Sequence, residues 1–139
     1  MENRFHLALA CKSKVETQKF YNKILGFKIG REGDNWVDVN MNGNQVTFKE
    51  DPNFNVKTPT YKLGEHQLPV FHFGVILELS EWSFIYQSLY DRGLELSVEK
   101  EFFINQIGEH TSFFVTDPNG YGIEFKYFKN SSDVFKKIK

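Results

Sequence analysis

Apolar and polar positions along the chain predict the same run of elements twice. From Phe5 to Ala10 they alternate: Phe5, Leu7 and Leu9 on one face, His6, Ala8 and Ala10 on the other, the period of a strand with one covered face. Ser13-Lys14-Val15-Glu16 is a capping box, so a helix starts after Ser13, with Val15, Phe20, Tyr21, Ile24 and Leu25 on its apolar side. Gly26 suits the left-handed position that ends a helix. Strands follow near 27–31, 35–40 and 44–50, separated by the turn pairs Gly33-Asp34 and Asn42-Gly43. The second half copies the plan. A strand over 71–79 leads to a helix capped by Ser80, holding Trp82, Ile85, Tyr86, Leu89 and Tyr90 at helical spacing and ended by Gly93. Strands follow near 94–100, 110–116 and 121–128, the last two joined by the turn sequence Asp117-Pro118-Asn119-Gly120.

Both halves therefore read β-α-β-β-β. Phe5-His6 opens one and Phe71-His72 the other; Phe48-Lys49 and Phe125-Lys126 close them. The expectation is an α+β fold of two paired modules, 1–50 and 71–128, in one compact domain. The connection over 51–70 carries Asp51-Pro52, Thr58-Pro59 and Leu68-Pro69, which favour extended chain. Loops of that length are linkers, lids or binding elements, and a plain linker is the simplest of these. The polar tail over 129–139 reads as a frayed end or a short helix.

Composition narrows the class. With 139 residues and 40% hydrophobic positions, the chain is sized for one globular domain. Lys and Arg total 17 against 18 Asp and Glu, a net charge of −1, which lacks the basic excess of a nucleic-acid binder. No apolar run approaches the roughly 18–20 residues needed to span a bilayer, and Met1–His6 has no signal-peptide core. The single cysteine, Cys11, excludes an internal disulfide and a cysteine zinc site; it reads as a small packing residue in a reducing, cytoplasmic setting. The 15 phenylalanines imply a large core or a cavity lined with rings.

Three residues stand out by position. His6 and His72 hold matching places in the first strands of the two halves, and Glu124 lies between Ile123 and Phe125 in the last strand. Each sits opposite the bulky residues that should pack on the helices, so each faces a concavity. A carboxylate inside a sheet is costly unless paired or metal-bound. Two imidazoles and a carboxylate form the donor set that holds a divalent ion with open positions. Any one of them alone reads as an ordinary strand residue; the repeat-equivalent histidines favour a site. Gln45, Thr47 and Lys49 share one strand face, and parity with Glu124 points it inward. Gln45 could hydrogen-bond a substrate oxygen or a metal ligand, or lie at a solvated edge. His110 could shuttle protons or sit in a surface turn. Lys126 is placed beside Glu124 or at a solvated end. His66 reads as a loop residue, and Trp36 and Trp82 as core or interface.

These residues carry a resemblance. The chain resembles the vicinal oxygen chelate superfamily, which includes glyoxalase I, fosfomycin and bleomycin resistance proteins and type I extradiol dioxygenases. The resemblance covers about residues 4–128. It rests on the paired modules, Phe-His at both module starts, and Asp117-Pro118-Asn119-Gly120 followed by Glu124. Phe5-His6-Leu7-Ala8, Trp36-Val37-Asp38, Gly43-Asn44-Gln45, Pro69-Val70-Phe71-His72-Phe73-Gly74-Val75, Gly108-Glu109-His110 and Glu124-Phe125-Lys126 place it nearest small extradiol-dioxygenase-like members. The resemblance implies cupped mixed sheets around a shared cavity, helices outside, and His6, His72 and Glu124 as metal ligands. It also implies a small-molecule substrate with two adjacent oxygens, Fe(II) or Mn(II) as the favoured ion with Zn(II) or Ni(II) as alternatives, activation of O2, and a homodimer. Gln45 and His110 are the candidate catalytic residues; Thr47, Lys49, Phe114 and Lys126 are candidate substrate contacts. Thr47 stands where glyoxalase I carries a fourth ligand, and Phe114 where the extradiol signature carries a substrate-binding tyrosine; His110 does not match the spacing of that signature's histidine. A glyoxalase-type isomerase or thiol transferase, and a metal-free resistance-type binding protein, are the alternatives.

Overall fold

Each half of the repeat folds into a four-stranded mixed sheet with the same strand order. The structure is a computed structural model, and it describes residues 2–138. In the first half, β1 (His6–Cys11), β2 (Lys28–Glu32), β3 (Trp36–Met41) and β4 (Asn44–Glu50) form a sheet in the order β1-β4-β3-β2. β5 (Thr60–Leu63) and β6 (His66–Pro69) make a hairpin. In the second half, β7 (Phe73–Ile76), β8 (Ser97–Phe102), β9 (His110–Thr116) and β10 (Gly122–Phe128) take the order β7-β10-β9-β8. β1 pairs in parallel with β4, and β7 with β10. The chain divides into two compact units: one runs to Lys57 and takes in Thr116–Tyr121, and the other holds Thr58–Val115 and Gly122 onward.

In the first unit the helix α1 (Lys14–Lys19) starts where the capping box places it, with the Ser13 hydroxyl accepting from the Glu16 amide at 3.2 Å. It then widens into a π-helical turn over Phe20–Ile24, with Leu25 N–H bonding the Phe20 carbonyl. The widening buries the neighbours Phe20 and Tyr21 together. Val15, expected on the apolar side, is exposed, because the helix is too short to cover it. Val37, Val39, Val46 and Phe48 supply the sheet's half of the core. Asn42 and Gly43 both take positive φ, 52° and 90°, which gives the β3–β4 hairpin the tight turn its sequence calls for. The Asp117–Tyr121 turn joins this unit through buried polar contacts. Tyr21 O–H donates to Asp117 (2.9 Å), Asn119 accepts from the Lys12 amide (2.8 Å), and Tyr121 O–H donates to the Ala10 carbonyl (2.7 Å).

In the second unit the helix α2 (Leu79–Asp91) packs on β10, and Trp82 N–H donates to the Phe125 carbonyl at 2.9 Å. Phe113, Val115, Ile123, Phe125 and Leu89 form its core. Several expectations shift here. Glu78, not Ser80, occupies the N-cap, so the helix starts earlier and the first strand is shorter than 71–79. The second strand of this half is Ser97–Phe102 rather than 94–100. The connection over 51–70 is not plain extended chain. It closes into the β5–β6 hairpin around Gly64 and Glu65, which makes His66 a strand residue. Its prolines, Pro52, Pro59 and Pro69, fall outside or at the end of the strands, where a missing N–H costs little. Ser131–Phe135 forms a short 3-10 turn. No helix among the described residues is long and apolar enough to cross a membrane.

Candidate metal and substrate site

Cross-strand register turns the repeat into a chemical comparison. In the first unit Ala8 lies opposite Thr47 and Ala10 opposite Lys49; in the second, Gly74 lies opposite Glu124 and Ile76 opposite Lys126. Thr47 and Glu124 therefore hold the same register position two residues beyond their histidines, and Lys49 and Lys126 the same position four residues beyond them. Gly74 is required by close approach: a Cβ there would run into the Glu124 backbone carbonyl.

The second unit gathers His72, Glu124, Lys126 and Phe114. Glu124 is buried, and its Oε1 lies 3.3 Å from His72 Nε2 and 3.2 Å from Lys126 Nζ. Burial pushes the Glu124 carboxyl up. The His72 and Lys126 contacts outweigh that and hold it down at about 2. The buried Ser112 hydroxyl sits beside this carboxylate without reaching hydrogen-bond geometry. The bond to Glu124 raises the His72 pKa above the usual imidazole value, against burial, which lowers it. Phe114 packs edge-on to the His72 ring, centroids 4.9 Å apart. His72 Nδ1 lies 3.0 Å from the Pro69 carbonyl, so Nδ1 carries a proton and donates it. A neutral His72 would then turn its Nε2 lone pair towards a carboxylate. Two acceptors at that distance need a positive centre between them, either a proton on Nε2 or a metal ion.

The first unit gathers His6, Gln45, Thr47 and Lys49. His6 is exposed, and its Nδ1 lies 3.3 Å from the Gln45 carbonyl, which leaves Nε2 as its open nitrogen. A further carboxylate, outside the set that strand parity singled out, organises this face. Asp38 is buried on β3 and accepts from Thr47 Oγ1 (2.6 Å), Gln45 Nε2 (2.9 Å) and Arg31 Nε (3.2 Å). Burial pushes its carboxyl up, but these donors outweigh burial and hold it below its ordinary value. The signal in the sequence was the one that marked Glu124, a carboxylate between two strand apolars, here Val37 and Val39. Thr47 gives its proton to Asp38, which suits it poorly to a ligand's role. Trp36 is not core: it lines the concave face and carries the Arg31 guanidinium over its ring.

His110 joins neither group. It opens β9 with its ring among Phe102, Phe103 and Phe128 and its Nδ1 on the Gly108 carbonyl at 2.9 Å. Four residues of strand, roughly 13 Å, separate it from Phe114. Among the described residues, no group of three or more His, Cys, Asp or Glu side chains is placed so as to hold a metal ion.

A family model described as the Glyoxalase/Bleomycin resistance protein/Dioxygenase superfamily matches residues 4–125. The chain belongs to that superfamily. No curated protein matches it by sequence. Among solved structures, it is similar to a glyoxalase/bleomycin resistance protein/dioxygenase from Alicyclobacillus acidocaldarius, with TM-score 0.80, 24% identity and 96% of each chain covered. It is also similar to the fosfomycin resistance protein FosX from Listeria monocytogenes, with TM-score 0.65, 13% identity, and 96% of this chain and 98% of that one covered. A glyoxalase/dioxygenase from Nostoc punctiforme gives TM-score 0.65, 13% identity and 92% coverage of each chain. At these identities the structures speak for the fold. The superfamily contains glyoxalases, dioxygenases and resistance proteins, and its members commonly bind divalent metals.

Proposed function

We propose that this superfamily member is a metal-dependent enzyme in which His6, His72 and Glu124 hold one divalent ion, Fe(II) or Mn(II) in preference to Zn(II) or Ni(II). The observation that carries this reading is the His72–Glu124 pair: His72 Nε2 and Glu124 Oε1 3.3 Å apart, with Nδ1 tied to a backbone carbonyl. That is a donor set oriented for a cation. His6 is the third ligand, since its Nδ1 faces a backbone carbonyl and its Nε2 is left open. A bound ion supplies Lewis acidity to a substrate with two adjacent oxygens and, as Fe(II) or Mn(II), an electron path to O2.

The chain's own residues do the rest. The Pro69 carbonyl keeps His72 in one tautomer and orientation. Lys126 Nζ, 3.2 Å from Glu124, is placed to donate a hydrogen bond to a substrate oxygen. Gln45 spends its amide N–H on Asp38 and keeps its carbonyl oxygen to accept from a substrate hydroxyl. Phe114 closes the His72 side against water but has no hydroxyl to offer. This weakens a catechol-cleaving assignment relative to the broader one and keeps a glyoxalase-type isomerase or thiol transferase in view.

One observation favours a second reading. The Lys126 ammonium neutralises Glu124 without any ion, as suits a metal-free binding protein of the resistance type. Elemental analysis of protein purified without chelator and without oxygen decides between them. The enzyme reading expects a divalent ion that Glu124→Ala loses, and oxygen uptake with a catechol-like compound if the reaction is a dioxygenation. Wild-type protein without an ion, with a melting temperature indifferent to added Fe(II), Mn(II), Zn(II) or Ni(II), supports the binding protein.

A further inference from the structure

The repeat comparison leaves one cation unaccounted for. In the second unit Lys126 spends its charge on Glu124. In the first, Thr47 stands where Glu124 would be, and Lys49 has no ion-pair partner among the described residues. Beside it, Arg31 is brought onto the concave face by a β-bulge. Lys28 and Ile29 pair with Asn40 and Val39, Glu32 pairs with Val37, and Gly30 and Arg31 together face Asp38. The extra residue turns the Arg31 side chain to the face that regular alternation would deny it. Gly30, without a side chain, leaves Asp38 open to it; a Cβ at position 30 would touch the Asp38 Cβ at 3.5 Å.

Arg31 is then held on two sides. Asp38 takes its Nε at 3.2 Å, and the Trp36 ring lies 5.6 Å below its guanidinium carbon. Its side chain is nonetheless 76% exposed, its two terminal nitrogens have no hydrogen-bond partner among the described residues, and Arg31 lines an open cavity of about 400 Å³. Lys49, Thr47, Gln45 and His6 line the same cavity. A guanidinium with its Nε engaged and its carbon over an aromatic ring presents its terminal nitrogens as a pair of donors, the fork that matches a carboxylate. The charges of Arg31, Lys49 and Asp38 leave a surplus of one positive charge, which matches a monoanion.

We propose that this cavity is an anion subsite in which Arg31 and Lys49 bind a carboxylate carried by the substrate. It deepens the metal-enzyme reading and rests on it only for calling the ligand a substrate; binding of the anion itself requires no metal. Arg31 grips the carboxylate through its terminal nitrogens, Lys49 adds a flexible second charge, and Trp36 and Asp38 keep the guanidinium from swinging into solvent.

The test uses full-length metal-free protein at low ionic strength, with ligand binding followed by NMR at the arginine side-chain nitrogens and by calorimetry. The probes are benzoate, 3,4-dihydroxybenzoate, benzyl alcohol, catechol and inorganic phosphate. Both carboxylates should shift the Arg31 signals and bind more tightly than their neutral counterparts. Arg31→Gln should weaken them at least about tenfold, the loss expected from removing a charge-assisted bond, and Lys49→Gln should weaken them less. Arg31→Lys keeps the charge without the fork and should recover only part of the loss. Equal affinity for benzoate and benzyl alcohol, or benzoate affinity unchanged in Arg31→Gln, overturns the proposal. Phosphate binding more tightly than benzoate overturns the carboxylate assignment. Bound metal, where wild type has it, should be unaltered in Arg31→Gln; its loss would mark Arg31 as a support of the metal site and overturn the subsite. Absence of metal from the wild type defeats the metal reading and leaves the anion titration fully readable.

Discussion

At His72 a proton and a metal ion compete for the same nitrogen. The folded-state pKa is raised, so the stability that His72 contributes is fully present below 6.5 and is lost as pH rises through the folded value. Glu124 runs the other way: its value of about 2 against an ordinary 4.5 gives stability present above 4.5 and lost as pH falls towards 2. The pair therefore contributes most to the metal-free protein between about 4.5 and 6.5. NMR titration of metal-free protein should show the His72 imidazole titrating above 6.5, and Glu124→Gln should return it towards that value. Metal uptake should strengthen with pH across the same range, because the ion must displace the Nε2 proton. Gly74→Ala is the sharpest steric test. The new methyl meets the Glu124 backbone, which cannot move as a side chain tip can. It should cost about 1–3 kcal/mol or more in urea unfolding and disturb the neighbouring carboxylate. His6, His72 and Glu124 were legible because parity along a strand is visible in the sequence. Asp38 shows the same parity, but its importance lies in three donors that reach it from β2 and β4, and no local pattern names them.

At the scale of elements, the turn over Asp117–Tyr121 shows how a short motif becomes a structural joint. Asp117 accepts from Tyr21 O–H and from the Asn119 and Tyr121 amides, and burial pushes its carboxyl up despite them. Tyr21→Phe removes one of those donors and should destabilise the fold by about 1–3 kcal/mol in denaturant unfolding. The raised Asp117 means that the folded state holds its proton more tightly, so this residue's penalty eases as pH falls through its folded value towards 3.8. In Tyr21→Phe the loss should accordingly be larger at neutral pH than in acid. The helices and the strands of both sheets were readable from apolar period and turn residues. The β5–β6 hairpin was not, because Pro59 and Pro69 flag extended chain without saying that it pairs, and Gly64-Glu65 is a weak turn signal. Nor was the bulge at Gly30-Arg31 readable, since a bulge is a mismatch between two strands.

At the scale of the molecule, the two units are unequal copies. Only the second carries a carboxylate at the register position beyond its histidine; the first carries Thr47. Metal titration should therefore saturate at about one ion per chain rather than two, with His6→Ala and His72→Ala each lowering affinity by about 10-fold or more, and elemental analysis after gel filtration checks it. By itself the sequence determined the repeat, the order of elements and the face on which each polar residue stands, because side-chain direction along a strand is a local property of the backbone. Tertiary structure alone decided the partners: that Lys126 neutralises Glu124, that Asp38 and Trp36 hold Arg31, and that Lys49 has no ion-pair partner among the described residues. Those contacts depend on register between strands far apart in the chain, where a slip of one residue would exchange every face.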